Sequence, residues 1–221
     1  MKEYWEGRFQ REGKIWGETP STTARRALEI FRQHAAKDIL VPGAGYGRNT
    51  RLFSEAGLHT VGVEISSEAL ALARQFDPAT EFFCGSVLEV SFPAASFDAV
   101  YCFNLLHLFR RRDREKLLAA CRGMLRKGGI VFFVVFCELE DSFGKGAQVE
   151  PNTFESKPGR PVHYFTEADL CEHFRAFDIV ETGLAKDHEE HGAEGPHVHT
   201  LRYICGVNRG EAIARGGGAS A

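Results

Sequence analysis

The sequence predicts an α/β fold, a seven-stranded and mostly parallel sheet with helices on both faces and a C-terminal antiparallel hairpin. Three observations carry that expectation. Short apolar runs alternate with helical patterns from Asp38 onward, as parallel strands joined by crossovers require. Three closely spaced glycines, Gly43, Gly45 and Gly47, sit directly after the first apolar run. The chain then closes on two strand-like runs with no helical pattern between them. With 221 residues and 43% hydrophobic content, one domain with a full core is expected over residues 1–210. Residues 211–221, rich in glycine and small residues, are expected to be disordered.

The elements follow in order. Residues 1–36 are read as an N-terminal helical lid. Ile39 to Val41 is the first strand, and Arg48 to Ala56 a helix stopped by Gly57. Thr60 to Glu64 is the second strand. Ser67 to Gln75 is a helix capped by Ser66 or Ser67, with Glu68 in its first turn. Glu81 to Cys84 and Phe97 to Phe103 are strands three and four, and Asp113 to Leu125 a helix ending at Lys127-Gly128-Gly129. From Ile130 to Cys137 every residue is β-branched, aromatic or cysteine, so this strand is central and covered on both faces. Residues 138–165, with Pro151, Pro158 and Pro161, are too long for an ordinary loop and are expected to form a substrate lid. Thr166 caps a further helix, with Asp169 three residues later in a box-like arrangement. Phe177 to Leu184 and His199 to Val207 form the closing hairpin, joined around Gly192 and Gly195.

Strand, glycine turn, helix, strand and terminal acid, from Asp38 to Glu64, make a Rossmann-like unit suited to a nucleoside. Gly43 and Gly45 let the backbone approach a ligand with no Cβ in the way. Glu64, ~20 residues past the glycines, is placed to accept from both ribose hydroxyls. The alternative is that the glycines only let a helix pack tightly. The G-x-G-x-G spacing is not the dinucleotide fingerprint, and no P-loop Lys-Ser/Thr pair follows, so a nucleoside without phosphates remains; S-adenosylmethionine is the commonest such cofactor.

A net charge of -3 and a pI near 6.3 supply no basic field, so no nucleic-acid partner is expected. The basic run Arg110-Arg111-Arg112, with Arg114, reads as the opening of a solvated helix. Six scattered cysteines without a C-x-x-C pair read as small buried hydrophobes in a reducing compartment. No apolar run approaches ~20 residues, and the charged, aromatic N-terminus is unlike a signal peptide. The expectation is a cytoplasmic protein with no membrane partner, as a monomer or homodimer.

The order of these motifs resembles class I S-adenosylmethionine-dependent methyltransferases over nearly the whole chain. Within that superfamily, VPGAGYGRN with GLHTVGVEIS resembles the thiopurine and tellurite-resistance methyltransferases. Pro42 after Val41 is similar to the thiopurine enzymes, and Gly47-Arg48-Asn49 to the tellurite-resistance enzymes; YWEGRF and GKIWG are similar to the aromatic N-terminal lid of the thiopurine branch. The resemblance implies S-adenosylmethionine as cofactor, S-adenosylhomocysteine as product and a small-molecule acceptor.

It also implies roles. Ser86 and Val87 fall beside the adenine, although Ser86 stands where the family often has an acid. Asn104 falls at the end of strand four beside the sulfonium. Ile65 adjoins Glu64 in the same cofactor set. Trp5 and Trp16, with Phe9, either cover the cofactor's cationic sulfur with aromatic faces or simply glue an N-terminal helix to the sheet. Arg48 either meets the methionine carboxylate or forms a surface ion pair. His107, after strand four, is the leading candidate for a general base, with packing or a cofactor contact as the alternatives. His163 and Tyr164 are similar candidates at the end of the lid. His188, His191, His197 and His199, with Glu189, Glu190 and Glu194, form either a substrate-facing strand wall or a chelating cluster; with neither H-E-x-x-H nor a cysteine pair, no metal ligand is assigned.

With no compelling base in view, the acceptor is expected to be a soft S, Se or Te nucleophile that arrives deprotonated. Two rivals stand beside this: a non-catalytic cofactor-binding module, and a metal- or metalloid-binding detoxification protein using the histidine hairpin.

Overall fold

The computed structural model describes residues 1–190 and 196–210. Helices α1 (Lys2–Glu12) and α2 (Thr22–Gln33) precede strand β1 (Asp38–Pro42). There follow α3 (Thr50–Glu55), β2 (His59–Glu64), α4 (Ser67–Phe76), β3 (Glu81–Cys84), β4 (Phe97–Phe103), a 3₁₀ turn at Leu106–Leu108, α5 (Arg111–Met124) and β5 (Leu125–Phe136). A three-strand insertion, β6 (Ala147–Glu150), β7 (Thr153–Lys157) and β8 (Arg160–His163), leads to α6 (Glu167–His173), β9 (Phe177–Glu190) and β10 (Pro196–Asn208).

The main sheet runs β3-β2-β1-β4-β5-β10-β9. Its first five strands are parallel, while β10 is antiparallel to both β5 and β9. The predicted fold class is therefore the observed one. Alternation along each strand splits the core between two faces. Leu40, Val131, Phe133 and Val135 pack with Leu117 and Cys121 of α5 and Phe174 behind α6. Ile39, Val41, Phe132 and Val134 pack with Ala24, Ala27, Leu28 and Phe31 of α2 and Phe53 of α3. The strand order reverses between β1 and β4, and ligands bind such sheets at that point, outside the strands' carboxyl ends.

Several expectations need correction. The helix expected from Arg48 starts at Thr50, because Gly47 has a φ of 87° and the turn through Arg48 and Asn49 is used for anchoring: Asn49 Oδ1 accepts from Ser21 N–H at 2.9 Å. The 138–165 segment is no bare loop but contains the antiparallel sheet β6-β7-β8. The basic run does open a helix, but Arg114 is buried rather than solvated: it donates to the Phe109 carbonyl at 2.7 Å and to His173 Nε2 at 3.2 Å, with Glu150 3.6 Å away. The Thr166 cap forms, yet Asp169 does not close the box; its carboxylate turns to His163 Nε2 at 2.6 Å instead. Residues 211–221, His191 and Glu194 lie outside the described residues, and of Glu189, Glu190 and His197 only the strand pairing is described.

Candidate active site

A cleft of about 460 Å³ opens at the switch point, between the ends of β1, β2 and β4, the N-terminal segment and the three-strand insertion. Every residue singled out from sequence for the cofactor lines it: Trp5, Trp16, Gly43, Gly45, Arg48, Glu64, Ile65, Ser86, Val87 and Asn104. So do His107 and His199.

The turn after β1 is folded back on β2, with Gly43 and Ala44 N–H both donating to the Val63 carbonyl at 2.8 and 3.0 Å. Gly43 has a φ of 68°, and a Cβ there would meet Leu105 at 3.0 Å. At Gly45, φ 57°, a Cβ would have only Phe9 Cζ, 3.9 Å away, and would fill the cradle a ligand needs. Glu64 ends β2 almost wholly buried. Its Oε2 accepts from Gly45 N–H at 3.0 Å, and its Oε1 from Ile65 and Ser66 N–H at 2.8 and 2.9 Å. Burial raises its pKa, and those three backbone donors offset part of that rise. Asn104, at the end of β4, is a non-glycine residue with a φ of 50°, and its Oδ1 is buried with no hydrogen-bond partner. A strained backbone holding an orphaned acceptor in a cleft points to a ligand that donates there. Ser86 Oγ accepts from Leu88 N–H at 3.3 Å and so caps the turn after β3.

The N-terminal segment is clamped on the glycine turn. Tyr46 donates its hydroxyl to the Gly17 carbonyl at 2.6 Å and accepts from Trp16 N–H at 3.1 Å, and its ring stacks on Trp16. Phe9 packs edge-on against both rings, Trp5 lies 6.1 Å from Trp16, and Arg8 sits over both tryptophans. The aromatic group therefore glues α1 in place and roofs the cleft at once. Arg48 is not in a surface pair. It is buried, donates to the Trp16 carbonyl at 3.1 Å, and lies 3.5 Å from buried Asp187 on β9.

The two cleft imidazoles are held in opposite senses. His107 Nδ1 accepts from Phe136 N–H at 3.2 Å while its ring stacks on Phe136 at 4.2 Å. Its proton is thus on Nε2, which makes His107 a donor. Burial first, then the charges of His199, His163 and Arg160, press its pKa down to about 3. His199 Nδ1 instead donates to Glu140 Oε1 at 2.7 Å, and Glu140 Oε2 accepts from Thr200 N–H at 2.8 Å. That carboxylate fixes the tautomer whose lone pair is on Nε2. Sequence reading put His199 on a substrate wall and missed Glu140; 59 residues separate the two, and no local pattern signals the pairing.

His163 is removed from such chemistry. It is buried, held by Asp169 and by Thr153 Oγ1 at 2.8 Å, and serves to pin β7 and β8 to α6. Tyr164 donates to the Ser142 carbonyl. Exposed His188 sits on β9 away from the cleft lining. Among the described residues no group of three His, Cys, Asp or Glu side chains could hold a metal ion, and no helix is long and apolar enough to cross a membrane.

Residues 40–133 match the family model described as a methyltransferase domain. A protein of Mycolicibacterium smegmatis named as a probable S-adenosylmethionine-dependent methyltransferase is 27% identical over 180 residues, covering 77% of this chain and 66% of its own length. The chain spans between 21% and 66% of the length of the six curated relatives it matches. Among solved structures, 1,6-didemethyltoxoflavin-N1-methyltransferase of Burkholderia thailandensis, with 1,6-didemethyltoxoflavin and S-adenosylhomocysteine bound, aligns at a TM-score of 0.69 and 22% identity over 95% of this chain and 87% of that one. A protein solved in work on conversion of a disulfide bond into a thioacetal group during echinomycin biosynthesis aligns at 0.74 and 15% identity, over 96% and 94%. The domain match over residues 40–133 and the shared Rossmann-like fold agree: this part of the chain is similar to methyltransferase domains, and the cleft lies at the switch point of that fold.

Proposed function

We propose that this protein transfers a methyl group from S-adenosylmethionine to a small molecule, and that the accepting atom is a soft nucleophile, a thiol, selenol or reduced tellurium species. One relationship carries the reading: at one rim of the cleft lies a ribose-type acid, Glu64, beside bare glycine backbone, and at the other a carboxylate-held imidazole, His199. The residues fit the cofactor. Glu64 holds the ribose hydroxyls, Gly43 and Gly45 admit the amino-acid end, Asn104 Oδ1 takes its ammonium, Ser86, Val87 and Ile65 flank the adenine, and Trp5 and Trp16 cover it. Bound there, S-adenosylmethionine supplies an electrophilic methyl group on a sulfonium centre.

The chain's own task is then to exclude water, align the acceptor and receive one proton. His107 is built to donate, so it positions rather than deprotonates. His199 Nε2, with its ring fixed by Glu140, takes the proton of a thiol, whose ordinary pKa of ~8.5 lies within reach of an imidazole. Phe103, Leu105, Phe136 and Val162 give this end of the cleft apolar walls. The neighbour from work on conversion of a disulfide bond into a thioacetal group is in keeping with a sulfur acceptor. Six free cysteine thiols suit the reducing cytoplasm. The closer kinship with the thiopurine and tellurite-resistance enzymes rests on the motifs around Pro42, Gly47 and Trp16. A second reading, an oxygen or nitrogen acceptor, is favoured by the same His199–Glu140 pair, since a base is what such acceptors need.

The test is a panel of thiol, selenol, phenol and amine acceptors, with methylated product followed by mass spectrometry. Product from thiols and selenols is expected. Product from phenols or amines alone overturns the soft-nucleophile reading, and tight S-adenosylmethionine binding without any product overturns the enzymatic one.

A further inference from the structure

Arg160 opens β8, in the insertion beside the cleft, and its guanidinium carbon lies over the Tyr4 ring of α1, 4.2 Å from the centroid. The cation therefore sits where the insertion meets the N-terminal segment, on the cleft lining. Its Nε and Nη1 are buried and have no hydrogen-bond partner. A guanidinium cannot shed its charge, so buried N–H donors left without an acceptor are costly unless a ligand supplies one. No carboxylate among the described residues pairs with it. Of the acids on the cleft lining, Glu12 pairs with Arg8 and Glu64 is committed to backbone N–H groups on the far side. Arg11 and Lys157 line the same mouth, again with no carboxylate partner among the described residues, so the local field is positive although the chain as a whole is acidic. The charge of Arg160 reaches His107 and Tyr164, which puts it at the acceptor end rather than at the ribose end.

We propose that Arg160 is the recognition site for an anionic group on the methyl acceptor, a carboxylate that takes the unpaired N–H groups of the guanidinium while the nucleophilic atom lies near His199. A planar carboxylate matches the planar fork and can take two of its N–H groups together. Closure follows from the same contact, because an anion seated there is held by a residue that already spans the insertion and α1. The inference rests on the proposed function only in taking this end of the cleft as the acceptor site.

The experiment measures binding and turnover separately. Benzoate and benzamide are titrated calorimetrically into the protein saturated with S-adenosylhomocysteine, and 4-mercaptobenzoate and 4-mercaptobenzamide are then compared as acceptors. The wild type is expected to bind benzoate at least tenfold more tightly than benzamide. Arg160→Met is expected to bring the two within about twofold, and Arg160→Lys to keep an intermediate preference, with circular dichroism confirming that both variants are folded. Selective benzoate binding that depends on Arg160, without methylation of either thiol, upholds the anion site and overturns the sulfur acceptor. A wild type that does not distinguish benzoate from benzamide, or an Arg160→Met variant that keeps the preference, overturns the anion site whatever the thiol activity.

Discussion

Glu140 and His199 meet at 2.7 Å across the seam between the end of β5 and the C-terminal hairpin, and both are buried. A carboxylate on Nδ1 does two things: it sets the tautomer, and it stabilises the imidazolium that forms once Nε2 has taken a proton. His199→Ala should therefore lower kcat for a thiol acceptor by roughly 10²-fold at pH 7, within the range of general-base effects. Glu140→Gln should lower it by about tenfold or more, since the ring loses its orienting charge. Both losses should shrink as the pH passes ~8.5, where a thiol ionises unaided. A loss that stays constant with pH would show that the pair only shapes the wall.

At the other rim, Glu64→Ala should weaken S-adenosylmethionine and S-adenosylhomocysteine alike. Two charge-assisted hydrogen bonds of about 1.5–3 kcal/mol each are removed, partly replaced by water, so a tenfold or greater loss by calorimetry is expected. The acid side adds a check. Burial raises the pKa of Glu64, so the folded protein takes up its proton more readily than the unfolded chain does. Hydroxyl donors favour the ionised form, so S-adenosylhomocysteine affinity in the wild type should fall as the pH drops through that raised pKa. Glu64→Ala should lack this dependence. Unchanged affinity in the folded variant would sink the ribose assignment.

The parts of this site that could be read from sequence are those whose chemistry is local. Gly43, Gly45 and Glu64 lie on one strand-turn-helix-strand unit, and backbone geometry alone relates them. Glu140 and Arg160 could not be found that way, and His199 could be placed on a substrate wall but not paired, because each acts through a partner in another element: Glu140 through His199 of β10, Arg160 through α1. Arg114 was misread for the same reason. Its run of basic neighbours looks solvated, and only the packing of the Phe109 carbonyl, His173 and Glu150 around it turns it inward. The insertion was recognised by length and proline content but not as a sheet, since its three strands are only four or five residues long.

Tyr46 ties the N-terminal segment to the glycine turn through two hydrogen bonds. Tyr46→Phe removes both, at roughly 0.5–1.5 kcal/mol each. A loss of that size should lower Tm by several degrees, at about 2–4 °C per kcal/mol for a chain of this length. The chain's two tryptophans, Trp5 and Trp16, report on the same contact. Acrylamide quenching should fall when S-adenosylhomocysteine binds to the wild type, and should be stronger in Tyr46→Phe with and without ligand. Identical quenching in all four states would show that the roof is indifferent to both the clamp and the cofactor.

His107 separates a positioning histidine from a base. With Nδ1 accepting from Phe136 N–H and the ring buried against Phe136, His107→Ala leaves a buried donor unmet and a stacking partner lost. About 1–3 kcal/mol of stability should go with the hydrogen bond alone, while kcat for a thiol stays within about tenfold. The pH dependence gives the sign. The folded protein holds His107 neutral down to about 3, whereas the unfolded chain protonates near 6.5. Between those values the unfolded state binds the extra proton, so this residue costs the wild type stability as the pH falls from 6.5 toward 3. His107→Ala escapes that cost, and its Tm deficit should narrow over the same interval. A folded His107→Ala protein that is dead toward thiols, with a Tm deficit independent of pH, would return His107 to the role of base and remove it from His199.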